Sequence, residues 1–145
     1  MTNIPPELLA KAAERYRRLQ LQDAFDPTNL QTQPTTAQLE IFQEFGKVKR
    51  QWVVAGNQSG KSQSCARLVS WFFSETHPYW TRPKEWNKEP LLIIVCGRSG
   101  KILEDSLVPR LCAYLPSDDY KLVKIGNMTQ RIEHVNGNQI GRAHV

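Results

Sequence analysis

Gly60-Lys61-Ser62 ends the stretch Ala55-Gly56-Asn57-Gln58-Ser59-Gly60-Lys61-Ser62, which carries two glycines, a lysine and two hydroxyls in eight residues. These residue types at this spacing suit one chemistry, the holding of a nucleotide triphosphate. Glycines let the backbone curl so that successive N–H groups converge on an anion. A helix that starts at such a loop adds the positive end of its dipole. Lys61 then reaches the β- and γ-phosphates, and the Ser62 hydroxyl ligates Mg²⁺. The cofactor-binding set is therefore Gly56, Asn57, Gln58, Ser59, Gly60, Lys61 and Ser62, with ATP and Mg²⁺ as cofactors. The full pattern wants a glycine where Ala55 stands; here the glycine comes one place later, at Gly56.

Two residues outside the loop join the candidates. Gln38 lies upstream, where several nucleotide-driven motors place a glutamine that hydrogen-bonds adenine. It also follows Thr35 by three residues, the position of the glutamine in a capping box. Both readings stand. Arg98 follows an apolar run and is placed to reach a phosphate, with a plain turn residue as the alternative. Gly100-Lys101 is not a second phosphate loop, because it lacks the preceding glycine and the following Ser or Thr.

The surrounding elements must position these groups. Trp52-Val53-Val54-Ala55 reads as the strand leading into the loop. Cys65, Leu68, Val69, Phe72 and Phe73 recur with helical period to about Thr76, where His77-Pro78 stops the helix. Leu91 to Cys96 is unbroken and apolar, as in a parallel strand covered on both faces. It leads to Arg98 on the sheet edge where α/β proteins place ligands.

Elsewhere, a helix runs from Pro5-Pro6 to about Leu21, with Leu8, Leu9, Ala12, Ala13, Tyr16 and Leu19 on its apolar face, either for packing within the chain or for contact with a neighbour. Residues 23–34 form a polar linker. A second helix starts at Thr35 and ends at Gly46, with Leu39, Ile41, Phe42 and Phe45 inward. A further helix spans Ile102 to Leu115, kinked by Pro109. Tyr120–Ile125 and Arg131–Val135 alternate as strands, and Asn136-Gly137 marks a tight hairpin. The fold class expected is α/β, a P-loop NTPase-like parallel sheet flanked by helices, with an N-terminal helix and a C-terminal β-hairpin.

With 145 residues, 40% hydrophobic and 23% charged, the chain has the composition of one globular domain. A net charge of +5, with Lys47, Lys49 and Arg50 clustered, fits either a polyanionic partner or a solvated basic surface. The loop from Tyr79 to Pro90 offers the same choice. Trp80, Arg82, Lys84, Trp86 and Lys88 suit stacking on nucleic acid, or the tryptophans plug the core. Cys65, Cys96 and Cys112 fit neither a disulfide framework nor a zinc pattern and read as reduced, intracellular thiols. The longest apolar run is too short to cross a membrane.

Thr35-Thr36-Ala37-Gln38, the loop Gly56–Ser62, the strand ending Val95-Cys96-Gly97-Arg98, Ser106, and the hairpin from Arg131 to Ile140 occur in that order. This order resembles the start of the ATPase domain of tailed-phage terminase large subunits, over about Thr35 to Gln139. The resemblance implies ATP hydrolysis driving DNA translocation in the full-length protein, with a metal-dependent nuclease domain beyond. It also implies double-stranded DNA, a portal protein and a small terminase subunit as partners, a homo-oligomer, and the host cytoplasm as location. Many members carry an arginine inside the phosphate loop, where this chain has Asn57 or Gln58. That role then falls to another arginine such as Arg98, which joins Lys61 as a candidate catalytic residue. Another P-loop NTPase, helicase-like or recombinational, or a nucleotide-binding module without hydrolysis, are the alternatives.

A motor ATPase also needs a hydrophobic strand ending in two acids, one for the Mg²⁺ shell and one for the attacking water. No apolar run here ends that way; Ile102-Leu103-Glu104-Asp105 comes nearest, inside a helical pattern. The last six residues, Ile140-Gly141-Arg142-Ala143-His144-Val145, are similar to one reading frame of a common short-read sequencing adapter, ATC-GGA-AGA-GCA-CAC-GTC. The expected division is therefore an N-terminal helix and linker (1–34), a partial P-loop ATPase domain (35–139) and a non-native tail (140–145). A chain without those acids is expected to bind the nucleotide but not to turn it over.

Overall fold

The computed structural model describes residues 4–47, 51, 53–54, 60–84 and 89–144. Gly56, Asn57, Gln58 and Ser59 of the expected loop lie outside the described residues, as do Trp52, Lys49, Arg50, Trp86 and Lys88. Among the described residues four helices pack with a mixed four-stranded sheet. The helices are α1 (Pro6–Gln22), α2 (Thr36–Glu44), α3 (Lys61–Ser74) and α4, which is built from Gly100–Ile102, a π-helical turn at Leu103–Leu107, and Val108–Ala113. The strands are β1 (Leu92–Gly97), β2 (Tyr120–Ile125), β3 (Met128–His134) and β4 (Gln139–His144), ordered β1-β4-β3-β2. β1 pairs with β4 in parallel, and the other pairs are antiparallel.

α3 is the central element. Ala66 and Phe73 enter a core with Leu111, Tyr114, Leu115, Ile132 and Ile140, while Leu68 and Trp71 pack on Phe42 of α2. Each such large side chain stabilises the fold by about 1.5–3 kcal/mol. The C-terminal end of α3 is tied to the sheet by side-chain amides. Asn138 Nδ2 and Asn136 Nδ2 both donate to the Phe73 carbonyl, at 2.9 and 3.1 Å, meeting a helix-end acceptor that has no intrahelical partner. Asn138 is buried, and its own side-chain oxygen accepts from Leu91 N–H at 2.6 Å. The Asn136-Gly137 turn, with Gly137 at φ +93°, thus joins β3 to β4 and docks on α3 together.

Several expectations need correcting. Val53 and Val54 form no strand, and Val54 is 94% exposed. An extended segment leaves its N–H and C=O groups unpaired unless a strand borders it, and none of the four described strands does so. β1 is not covered on both faces. Leu92 and Ile94 are 67% and 54% exposed, alternating with the partly buried Ile93 and Val95 that pack against the core, because helices lie against one face only. On α1, Leu8, Leu9 and Tyr16 are exposed and touch no core. Cys65 is exposed, and Trp71 takes the buried place on α3.

Pro109 does not simply kink its helix. The π-helical turn immediately before it absorbs the missing N–H, and Arg110 Nη1 donates to the Ser106 carbonyl at 3.1 Å. Residues 140–144 belong to β4, with Ile140 in the core. No described helix is long and apolar enough to cross a membrane.

Candidate functional site

Gly60 sits at φ +79°, in the left-handed region that glycine adopts without penalty, and it opens the 14-residue α3. Having no side chain, it offers no cap of its own, so Lys61 and Ser62 occupy a first turn whose N–H groups lack intrahelical acceptors. Ser62 is exposed and Lys61 is partly exposed. A left-handed glycine, an uncapped N-terminus, a lysine and an exposed hydroxyl together fit an anionic phosphate with its Mg²⁺. Of these side chains, the Ser62 hydroxyl is the one whose chemistry could serve a metal ion. Among the described residues no group of three or more His, Cys, Asp or Glu side chains gathers.

Gln38 meets this turn. It is 8% exposed, and α2 shows the full capping box: Gln38 N–H donates to Thr35 Oγ1 at 3.3 Å, and Thr35 N–H donates to Gln38 Oε1 at 3.0 Å. Its other end, Nε2, donates to Ser64 Oγ at 3.1 Å. Ser64 Oγ in turn donates to the Gly60 carbonyl at 3.0 Å. A Cβ placed on Gly60 would come to 3.0 Å from Gln38 Nε2. The structure therefore brings together Gln38, Gly60, Lys61 and Ser62. Arg98 is exposed beyond the end of β1, and no hydrogen bond or ion pair among the described residues joins it to α3.

Glu104, the nearest approach to a catalytic acid in the sequence, is committed elsewhere. Its carboxylate accepts from Thr129 N–H at 2.8 Å and Thr129 Oγ1 at 2.9 Å, and faces Arg142 Nη1 at 3.7 Å. It locks the π-helical turn of α4 to β3 and β4.

Sequence reasoning missed the buried polar residues of α3, which are Ser64, Arg67 and Ser70. Ser64 is the link just described. Arg67, 4% exposed, donates through Nε to the Ala24 carbonyl at 2.8 Å, through Nη2 to Gln22, and through Nη1 to Tyr114 at 3.5 Å. Its guanidinium lies 4.6 Å from the Trp71 ring and 5.2 Å from that of Tyr114. Desolvation lowers its pKa to about 10, so it stays charged at neutral pH. The signal was present: Ser64, Arg67 and Trp71 fall at helical spacing on one face.

The aromatic loop lays Trp80, partly buried, against α3. Its ring stacks on Phe72 with centroids 4.4 Å apart and lies where a Cβ on Gly46 would meet it at 2.2 Å. Arg82 pairs with Glu75 at 2.9 Å. Beside them His77 is 9% exposed, with Nδ1 accepting from Tyr79 N–H at 3.0 Å. Its Nε2 has no hydrogen-bond partner among the described residues, and its ring stands at 89° to Phe72, 5.2 Å away. Burial holds its pKa at about 4, against an ordinary 6.5.

A depressed histidine pKa means that the unfolded chain binds more protons between these values, so stability falls as pH drops from 6.5 towards 4. The loss reaches about 3 kcal/mol at the acid end. In thermal melts across this range, His77→Phe should flatten the acid limb. An unchanged limb would place the acid sensitivity on other groups.

Comparison with protein-family models, curated proteins and solved structures finds no match to this chain.

Proposed function

We propose that this chain is the ATP-binding portion of a DNA-packaging motor of the terminase large-subunit type. One observation carries the nucleotide reading. Gly60 is left-handed and opens α3 without a side-chain cap, with Lys61 and Ser62 in the first turn and the Gln38 amide against the same glycine. When bound, Mg²⁺–ATP would take backbone N–H groups and the Lys61 ammonium at its phosphates and the Ser62 hydroxyl at its metal. The motor assignment rests on the ordered motifs of the sequence, and it brings double-stranded DNA and a portal as partners and further copies of the chain.

The test is nucleotide binding and hydrolysis by the 145-residue chain, wild type against Lys61→Ala, with and without double-stranded DNA. Lys61-dependent binding of Mg²⁺–ATP without turnover is the expected result. Lys61-dependent turnover would require an acid other than the committed Glu104, with Asp105 the first to replace. Binding indifferent to Lys61 would remove the nucleotide reading itself.

A further inference from the structure

We infer that Ser64 is a specificity-determining positioning residue for the nucleotide base, acting through Gln38; this rests on the nucleotide site proposed above. The argument starts from proton directions. Thr35 N–H can only donate, so the Gln38 atom 3.0 Å from it is the carbonyl oxygen, and the amide orientation is fixed. Ser64 has a single hydroxyl proton, directed at the Gly60 carbonyl 3.0 Å away, so it must accept from Gln38 Nε2. The chain of donors therefore runs one way, from Gln38 Nε2 to Ser64 Oγ to the Gly60 carbonyl. Ser64 is 1% exposed, so water does not offer its hydroxyl a ready alternative partner.

This arrangement leaves the amide with one N–H and one lone pair at set positions. A glutamine so presented is bidentate to adenine, donating to a ring nitrogen and accepting from the exocyclic amine. The matching edge of guanine offers two acceptors and leaves the glutamine oxygen facing an oxygen. Without the Ser64 hydroxyl the amide keeps its Thr35 anchor but its nitrogen is no longer held, so the remaining N–H is aimed less sharply at the adenine edge. The same hydroxyl holds the carbonyl of the left-handed glycine that opens α3, so the base-reading amide and the phosphate-binding turn share one proton chain.

The experiment titrates the 145-residue chain with Mg²⁺–ATP, Mg²⁺–GTP and base-free tripolyphosphate, for wild type, Ser64→Ala, Gln38→Ala and the double variant. Ser64→Ala should cut the ATP-over-GTP preference by about two- to tenfold, the range of one hydrogen bond, and should weaken ATP more than tripolyphosphate. Gln38→Ala should do at least as much, and adding Ser64→Ala to it should change the preference no further. Ser64→Cys, close in size and weak as donor and acceptor, gives the same readings should alanine not fold. Ser64→Thr, which keeps the hydroxyl, should retain the preference.

A lower melting temperature with unchanged preference would overturn the inference and leave Ser64 a structural bond. Equal weakening of ATP and tripolyphosphate would also overturn it, assigning the hydroxyl to the glycine turn alone. Failure of the wild type to bind any of the three probes would instead overturn the nucleotide site, and the inference with it.

Discussion

Lys61→Ala is expected to weaken binding of Mg²⁺–ATP to this chain by at least about tenfold, the lower range for a charge-assisted hydrogen bond. On the proposed motor reading, where the catalytic acids are supplied, it should also abolish measurable turnover, a loss of about 10²–10³ or more for one fixed group facing charge that develops in the transition state. The position explains why no neighbour can substitute. Lys61 is the first residue of α3, directly after a glycine in the left-handed conformation, so its place relative to the helix N-terminus is set by backbone. Arg67, the other cation on α3, is buried and turned to the Gln22, Ala24 and Tyr114 carbonyls. Isothermal titration with Mg²⁺–ATP and a phosphate-release assay check both statements. Affinity within a factor of two of wild type would show that the start of α3 is not a phosphate site.

The largest effect on stability is expected from Arg67→Met. Methionine keeps most of the buried volume and its contact with the Trp71 and Tyr114 rings, but abandons the Gln22, Ala24 and Tyr114 carbonyls. Leaving buried acceptors unpaired costs about 1–3 kcal/mol each. A total of about 3 kcal/mol or more follows even if water recovers part of it, equivalent to roughly 10 °C in melting temperature. Because two of the three carbonyls belong to the end of α1 and the turn after it, α1 should detach before the rest unfolds. Proteolysis near residues 22–25 should therefore accelerate more than cleavage elsewhere. A shift below about 1 kcal/mol would mean that Arg67 fills space rather than holds the N-terminal segment.

The features legible in the sequence were those with local causes. Thr35 and Gln38 announce a capping box because both partners lie within one turn, and α2 starts there. Asn136-Gly137 announces a reversal because few other pairs tolerate its backbone, and β3 turns into β4 there. Gly60-Lys61-Ser62 marks the start of α3 for the same kind of reason. What could not be read depends on distant partners. Arg67 looks like a solvated charge until Ala24 and Tyr114, 43 and 47 residues away, supply its acceptors. The Gln38 amide could not be assigned to cap or base from spacing alone; the structure shows the capping box made, with Ser64, 26 residues on, taking the amide nitrogen. The apolar stripe of α1 predicted its helix correctly, but periodicity does not say what covers a stripe. The unbroken apolar run of β1 misled for a related reason, since hydrophobicity on both faces does not guarantee a cover on both.

β1 borders β4 on one side only among the described strands. In a parallel ladder, alternate residues direct both backbone groups to the same neighbour, and Gln139 N–H donates to the Leu91 carbonyl at 2.9 Å. Leu91, Ile93 and Val95 therefore address β4, whereas Leu92, Ile94 and Cys96 turn their amide protons outward. In deuterated solvent the strand should not exchange as a block. Ile93 and Val95 should keep their protons while Leu92, Ile94 and Cys96 lose theirs, giving an alternation in residue-resolved spectra that fades wherever another chain segment settles along that edge.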